Sequence, residues 1–201
     1  MLRLYGSAKS RALRNLWLLG ELAVPYDHKD YLPGSPETRT PEFRALNPNG
    51  RIPVIDDDGF VLSESMAINL YLAKRHASPL YPRDAGNEAL ALQWSFWQTD
   101  RIDRQIVNYF MHTKVLPEAE RRPEIAEACW KEAVEAFEVL ETALGKAASL
   151  AGPSFSIADL IVAAALYRAL FLDLSKWAHL QTWLTQCWAR PAAKRVRAMR
   201  E

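Results

Sequence analysis

Residues 47–56 read NPNGRIPVID and place a proline inside the start of an apolar segment. Proline has no backbone N–H to donate to a sheet, so it is confined to edge strands, to the first residue of a strand or to a bend. Pro53 therefore either begins a strand in trans or follows a cis peptide bond that gives the backbone a special geometry. The sequence on both sides of this stretch helps to decide between these two conformations of Pro53.

Strand and helix patterns alternate through residues 1–76. Leu2 and Leu4 recur with the period of a strand, and the Asp-Gly pair at 58–59, between two apolar runs, predicts a hairpin. The predicted elements are, in order, a strand at 2–5, a helix from 13 that Pro25 ends, a strand at 26–31, a helix at 41–46, strands at 54–55 and 60–62, and a helix at 64–76. The order β-α-β-α-β-β-α is the plan of a thioredoxin-like α/β domain.

The rest of the chain is helical in pattern. Residues 77–86 hold two prolines and a glycine, which predicts a linker. Helical patterns follow at 87–116, 123–148 and 156–172, with a shorter helical tail from 176. The predicted organisation is a thioredoxin-like domain at 1–76, a linker at 77–86 and an all-α domain at 87–201.

Charge and cysteine content exclude some classes of partner and indicate the cellular compartment. Lys and Arg number 25 and Asp and Glu number 24, so the balance calls for neither nucleic acid nor an anionic membrane. The only cysteines, Cys129 and Cys187, argue against a disulfide framework or a zinc cluster, and a reducing cytoplasm fits best. Residues 1–20 have the basic composition of an organelle transit peptide, but their strand alternation favours a structured start.

One strong signal in the C-terminal part is structural. In FSIADL, at 155–160, Ser156 is a helix N-cap and Asp159 is the third helical residue. A serine and an acid at this spacing form a capping box, in which each side chain binds the backbone N–H of the other. We therefore assign Asp159 to helix capping rather than to acid catalysis, and expect its loss to damage folding before chemistry.

Three strings carry a family resemblance: NPNGRIPVI at 47–55, SESMAINLYLAKR at 63–75 and FSIADL at 155–160. In this order, with the linker between them, they resemble the glutathione S-transferase family from end to end of the chain. The resemblance implies a cis peptide bond before Pro53 and glutathione as co-substrate without a metal. It also implies a cytoplasmic homodimer that takes part in detoxification, with neither a nucleic acid nor a membrane as partner.

The resemblance implies a binding role for the proline segment and for the next helix start. The N–H and C=O of Ile52, just before Pro53, would pair with the tripeptide as with an added strand. Ser65, at a helix start, would receive the γ-glutamyl carboxylate, and Glu64 would bear on the ligand's ammonium. The plainer alternative is that Ser63 or Ser65 caps the helix and that Glu64 favours its first turn.

Two arginines are candidates for the glycyl carboxylate of glutathione. Arg39 stands where related family members often carry a lysine. Arg51 departs from the glutamine that many relatives carry there, so it either clamps the carboxylate or extends into solvent.

The resemblance to serine-type members makes Ser10 the candidate that activates the thiol. Free thiols have a pKa near ~8.5, so a transferase must stabilise the thiolate. In YGSAKSRALR, the Ser10 hydroxyl would donate to sulfur beside a helix N-terminus, and Arg11 and Arg14 would add positive charge. Ser7 and then Tyr5 rank behind it, and a purely capping role for Ser10 stays open.

The second substrate, an electrophilic and apolar small molecule, would lie against the first long C-terminal helix. Trp94 and Trp97 recur there at helical spacing, although such a stripe is more often core or subunit interface. Asp100 either reaches glutathione across a dimer interface or is a solvated acid. Two further alternatives are a non-catalytic ligand-binding or docking protein of this fold and a glutathione-dependent peroxidase or dehalogenase.

Overall fold

The structure, a computed structural model, describes all residues from Met1 to Glu201. The chain divides into two compact units, one of Met1–Tyr81 with Ala189–Glu201 and one of Pro82–Trp188. The strands are β1 (Leu2–Tyr5), β2 (Asp27–Lys29), β3 (Val54–Asp57) and β4 (Phe60–Ser63). The helices are α1 (Leu13–Leu22), α2 (Pro41–Leu46), α3 (Ser65–Arg75), α4 (Ala85–Gln98), α5 (Arg104–Phe110), α6 (Pro123–Leu144), α7 (Ile157–Ala165), α8 (Ala178–Ala189) and α9 (Pro191–Arg200).

The first unit is built on a four-stranded mixed sheet in the order β2-β1-β3-β4. Strand β1 is parallel to β2 and antiparallel to β3, and β4 is antiparallel to β3. Leu2 and Leu4 are buried, whereas Arg3 and Tyr5 face the other side of the sheet and are half-buried. This mixed sheet with its helices confirms the predicted thioredoxin-like fold.

Local sequence signals explain two of the turns. The hairpin between β3 and β4 turns at Asp58 and Gly59, which both have positive φ, at 52° and 93°. Positive φ at both central residues is the mark of the turn type that suits the twist of a hairpin, and Asp-Gly is a preferred pair there. The Thr40 hydroxyl accepts a hydrogen bond from the N–H of Phe43 at 3.2 Å and so caps the start of α2, the helix predicted at 41–46.

The last helix belongs to the first unit, which differs from the predicted boundaries. Sequence pattern assigned 87–201 to one all-α domain, but α9 packs on α1. Arg190 donates to both carboxylate oxygens of Glu21 at 2.8 Å. Gly20 leaves room for this contact, since a Cβ there would lie 3.1 Å from the Cβ of Ala192. The helical period of α9 can be recognised in the sequence, but the helix against which its short apolar face packs cannot.

The second unit is helical. A π-helical turn at Thr99–Asp103 separates α4 from α5, and a second one at Met111–Val115 follows α5, so the helix predicted at 87–116 is interrupted twice. The predicted helix at 156–172 is α7 followed by a 3₁₀ segment, Leu166–Phe171. Cys129 and Cys187 are buried and are not joined in a disulfide. None of the helices combines the length and the apolar character that are needed to cross a bilayer.

Asp159 and Ser156 form a capping box at the start of α7, which confirms the prediction. Its carboxylate accepts hydrogen bonds from the N–H and the hydroxyl of Ser156 at 2.9 and 2.7 Å. It also accepts from the N–H of Leu150 and the indole N–H of Trp183, both at 2.9 Å. Asp159 is fully buried, and its hydrogen bonds to these donors join α7, α8 and the preceding loop.

Candidate functional site

Gly6 brings the loop after β1 into contact with the proline segment. A Cβ on this residue would lie 3.5 Å from the Cα of Pro53 and 3.6 Å from the Cβ of Ile52. It would also lie 2.7 Å from the Cβ of Ala12, closer than real Cβ atoms approach, and φ at Gly6 is +148°. Only glycine fits both the space and the conformation. The loop that carries Ser7 and Ser10 therefore lies beside Ile52 and Pro53.

The proline segment presents free backbone groups at this point. The peptide bond between Ile52 and Pro53 is cis. The pairing of β3 with β1 and β4 begins only at Val54, and neither the N–H nor the C=O of Ile52 forms a hydrogen bond. An extended ligand can pair with these groups as a strand pairs with the edge of a sheet.

Asn47 holds the turn that leads into the proline segment. Its side-chain amide donates to the C=O of Arg51 at 2.7 Å and accepts from the N–H of Asn49 at 3.1 Å. Its own C=O accepts from the N–H of Gly50 at 2.8 Å. The NPNG string thus sets the direction in which the chain enters Ile52 and Pro53.

Ser10 is half-buried and its hydroxyl is engaged within the loop. It donates to the C=O of Ser7 at 2.7 Å and accepts from the N–H of Ala12 at 3.1 Å. Helix α1 begins at Leu13, where the sequence pattern predicted it, and a series of turns separates it from Ser10. The bond from Ala12 belongs to a local serine turn before α1, whose N-cap is Ala12 without a side-chain cap, and it does not exclude a second use of the hydroxyl proton.

The two competing hydroxyls differ in exposure and in contacts. Ser7 is 3% exposed and accepts from the N–H of Lys9 at 3.3 Å. The ring of Tyr5 packs against Tyr31 and Phe43, with ring centroids 5.6 and 5.8 Å away. Tyr5 is half-buried, as Ser10 is, so exposure alone does not rank the three hydroxyls and the order Ser10, Ser7, Tyr5 stays a prediction.

The hydroxyl of Tyr5 is also tied to a polar pair on the outer face of the sheet. The guanidinium of Arg3 lies 3.4 Å from this hydroxyl and donates to Asp27 at 2.8 Å. These hydrogen bonds, to Tyr5 and to Asp27, raise the pKa of Arg3. The arrangement holds Tyr5 on the face opposite the buried Leu4.

The start of α3 is tied to the start of α1 by buried polar groups. A guanidinium nitrogen of Arg14 lies 3.5 Å from the hydroxyl of Ser65 and 3.6 Å from the sulfur of Met66. Asn15 donates to the C=O of Ser65 at 2.9 Å and to the side-chain oxygen of Asn69 at 2.6 Å. Ser65 itself is 5% exposed. Its position therefore depends on α1 as well as on its own helix.

Glu64 precedes α3 in an unusual backbone conformation. Its φ and ψ are 70° and 112°, which lies outside the regions that residues with a side chain favour. The side chain is exposed, and no side chain caps the helix at this residue. The capping alternative for the SES string therefore gains no support, and such strained residues cluster at functional sites.

Arg39, at the end of a 3₁₀ segment (Pro36–Arg39), and Arg51 belong to two segments that touch near Gly50. A Cβ at Gly50 would lie 3.0 Å from the C=O of Thr38, which is itself buried. Both arginines are exposed, and their side chains form no hydrogen bond or ion pair. Arg51 directly precedes Ile52, and Arg39 follows Thr38, so both arginines stay candidates for an anionic group of a ligand.

Comparisons with known proteins identify the family of the chain. The family description "Glutathione S-transferase, N-terminal domain" matches residues 1–74, and "Glutathione S-transferase, C-terminal domain" matches residues 123–186. The theta class glutathione S-transferase of Xanthomonas axonopodis pv. citri, solved with glutathione bound, is 32% identical with a TM-score of 0.88, over 96% of this chain and 95% of that one.

The chain belongs to the glutathione S-transferase family. Another relative, the glutathione S-transferase GstB of Escherichia coli K12, is 29% identical over 98% of this chain and 97% of its own length. A glutathione S-transferase structure from Pseudomonas fluorescens Pf-5 is 30% identical with a TM-score of 0.83, over 95% of this chain and 96% of that one. These relatives match both units, so the family assignment covers the chain as a whole.

In this glutathione S-transferase family member, the electrophile site was expected on the first long helix of the second unit. That helix carries both buried and exposed side chains. Trp94 is 7% exposed and packs edge-on against Trp97, with ring centroids 5.0 Å apart, so it belongs to the core of the second unit. Trp97 is half-buried. Asp100 pairs with Arg101 at 3.1 Å, and both side chains are exposed.

Sequence reasoning missed three residues that organise the site. Gly6 makes the close approach to the proline segment, Asn47 holds its turn, and Asn15 fixes the start of α3. The glycine after a strand and the asparagine in NPNG are signals that a turn analysis can use. Asn15 gives no such signal, because its partners are distant in sequence.

Proposed function

We propose that this chain is a glutathione transferase whose first unit binds glutathione and activates its thiol for attack on an electrophilic, apolar small molecule. One observation carries the proposal. Gly6 and the α1–α3 contacts gather the Ser10 loop, the free backbone of Ile52 and the start of α3 within one unit. The glutathione bound to the related Xanthomonas enzyme supports the same ligand here.

Each part of glutathione has a partner in this arrangement. The cysteinyl backbone pairs with the N–H and C=O of Ile52, next to Pro53. The γ-glutamyl carboxylate binds at Ser65, where backbone N–H groups and the helix dipole favour an anion, and Glu64 attracts the ammonium. Arg39 and Arg51 provide positive charge for the glycyl carboxylate.

Thiol activation requires the Ser10 hydroxyl to turn. A hydroxyl has one proton, and in the free protein Ser10 donates it to the C=O of Ser7. When the thiolate binds, the hydroxyl rotates and donates its hydrogen bond to the sulfur instead of to the C=O of Ser7. The C=O of Ser7 keeps the N–H of Ser10 as a donor at 2.9 Å, so no buried acceptor is left without a partner. The N–H of Ala12 continues to donate to the hydroxyl and strengthens it as a donor.

The test is the ultraviolet absorbance of the thiolate of bound glutathione, titrated against pH. We expect a depressed thiol pKa in the wild type and a rise of about one to two units in Ser10→Ala, because a hydrogen bond to an anion is worth about 1.5–3 kcal/mol. Ser7→Ala is the matched control and should leave the pKa depressed. A depressed pKa that survives in Ser10→Ala would reject Ser10 as the activating residue.

The same titration separates the enzyme from a docking protein of this fold. Glutathione bound with an unshifted thiol pKa, or not bound, would favour the docking function. A depressed pKa would be followed by turnover assays with aryl halides, peroxides and haloalkanes, since all three reactions begin from the same thiolate. Sedimentation of the purified protein tests the proposed homodimer.

A further inference from the structure

Arg14 is buried between the starts of α1 and α3. It is 3% exposed, although arginine is almost never fully buried unless its charge has partners. Its guanidinium lies 3.5 Å from the hydroxyl of Ser65, and its C=O accepts from the side chain of Asn69 at 3.1 Å. The sequence placed the charge of Arg14 beside the thiol loop, whereas the structure directs its guanidinium to Ser65 and Met66.

This contact determines which way the Ser65 hydroxyl points its proton. A guanidinium has only donors, so the oxygen of Ser65 must accept from it. The single proton of the hydroxyl is then left for another acceptor. A carboxylate at the start of α3 would receive that proton, and it would lie near a buried positive charge that solvent ions screen poorly.

We infer that Arg14 is a positioning residue for the γ-glutamyl carboxylate of glutathione. It acts through Ser65 and through its buried charge, and it sets the affinity for that carboxylate rather than the activation of the thiol. The inference rests on the proposed function, because it names the control of one end of the same binding site.

The test compares three ligands by calorimetry in wild type, Arg14→Met and Arg14→Lys. The ligands are glutathione, 4-aminobutyryl-Cys-Gly, which lacks only the γ-glutamyl carboxylate, and glutathione amidated at the glycyl carboxylate. In wild type, removing the γ-glutamyl carboxylate should weaken binding about thirtyfold, and in Arg14→Met only about threefold. Removing the glycyl carboxylate should weaken binding by the same factor in both proteins.

A merely structural role for Arg14 gives a different pattern. Arg14→Met would then weaken all three ligands by one common factor, and the inference would be overturned. It would equally be overturned if the pKa of the bound thiol rose in Arg14→Met while the carboxylate factor stayed near thirtyfold. Wild type that fails to bind glutathione at all would instead reject the proposed function, and the inference with it.

Arg14→Lys decides the question if Arg14→Met does not fold, as judged by circular dichroism. Lysine keeps a buried cation that only donates, so we expect it to keep most of the discrimination for the γ-glutamyl carboxylate. Equal losses for both carboxylates in Arg14→Lys would overturn the inference.

Discussion

Two helix starts in this protein use the same residue types for opposite purposes. Helix α7 follows a serine with an acid three residues on, and α3 begins within Ser63, Glu64 and Ser65. At α7 the acid is fully buried and accepts four hydrogen bonds from the protein. At α3 the acid is exposed, caps nothing and has a positive φ. We call the start of α7 sealed, because the protein itself binds its acid, and the start of α3 open, because its acid caps nothing. A sealed start stabilises the fold, and an open start is available to a ligand.

The sealed start should give the largest effect on stability. Asp159→Ala removes the acceptor of four buried hydrogen bonds and leaves their donors without a partner. We expect the free energy of unfolding to fall by about 4 kcal/mol in urea denaturation. Glu127→Ala, at an exposed position on α6, is the control and should change it by less than about 0.5 kcal/mol. A loss below about 1 kcal/mol for Asp159→Ala would contradict the comparison.

The open start should respond in affinity instead. Ser65→Ala removes the hydroxyl near the expected carboxylate, so glutathione should bind about tenfold more weakly, a change of about 1.4 kcal/mol. Stability should fall by less than this, since the helix is not capped by the serine. Ser63→Ala, two residues earlier, is the matched control and should keep wild-type affinity. Calorimetry that finds equal affinities in both variants would remove Ser65 from the site.

The backbone of Glu64 offers a test of strain against function. Glu64→Gly relieves the positive φ, and we expect the protein to be stabilised by about 1 kcal/mol while its affinity for glutathione falls. Glu64→Ala removes the same carboxylate but keeps a Cβ, so it should lose affinity without the gain in stability. Equal unfolding free energies for the glycine and alanine variants would show that the conformation carries no strain.

The contact between α9 and α1 should give the smallest effect, and one that depends on pH. Burial raises the pKa of the Glu21 carboxyl, but hydrogen bonds from Arg190 and Trp17 outweigh it and the net pKa lies below the ordinary value of 4.5. A carboxyl with a lowered pKa stabilises the fold above its unfolded pKa, and this stability is lost as the pH falls through the folded value. Glu21→Gln should therefore cost about 1 kcal/mol near neutral pH and less as the pH falls below ~4. A cost that is constant from pH 7 to pH 3 would contradict the ion-pair explanation.

Local patterns predicted most elements of the fold and only part of the site. The Asp-Gly hairpin, the Thr40 cap and the Ser156–Asp159 capping box depend on residues close in the chain, so their chemistry is readable there. The interruptions at Thr99–Asp103 and Met111–Val115 escaped prediction, because a π-helical turn keeps the composition of a helix. The partner of α9 escaped it because its apolar face is short.

The sequence alone determined the order of strands and helices, the two helix starts and the family resemblance. These follow from periodicity and capping, which act over a few residues. Only the tertiary structure decided that Arg14 reaches Ser65, that Gly6 lies against Pro53 and that α9 packs on α1. Such contacts join residues far apart in the chain, and no local propensity specifies them. Packing in three dimensions alone establishes which distant groups meet.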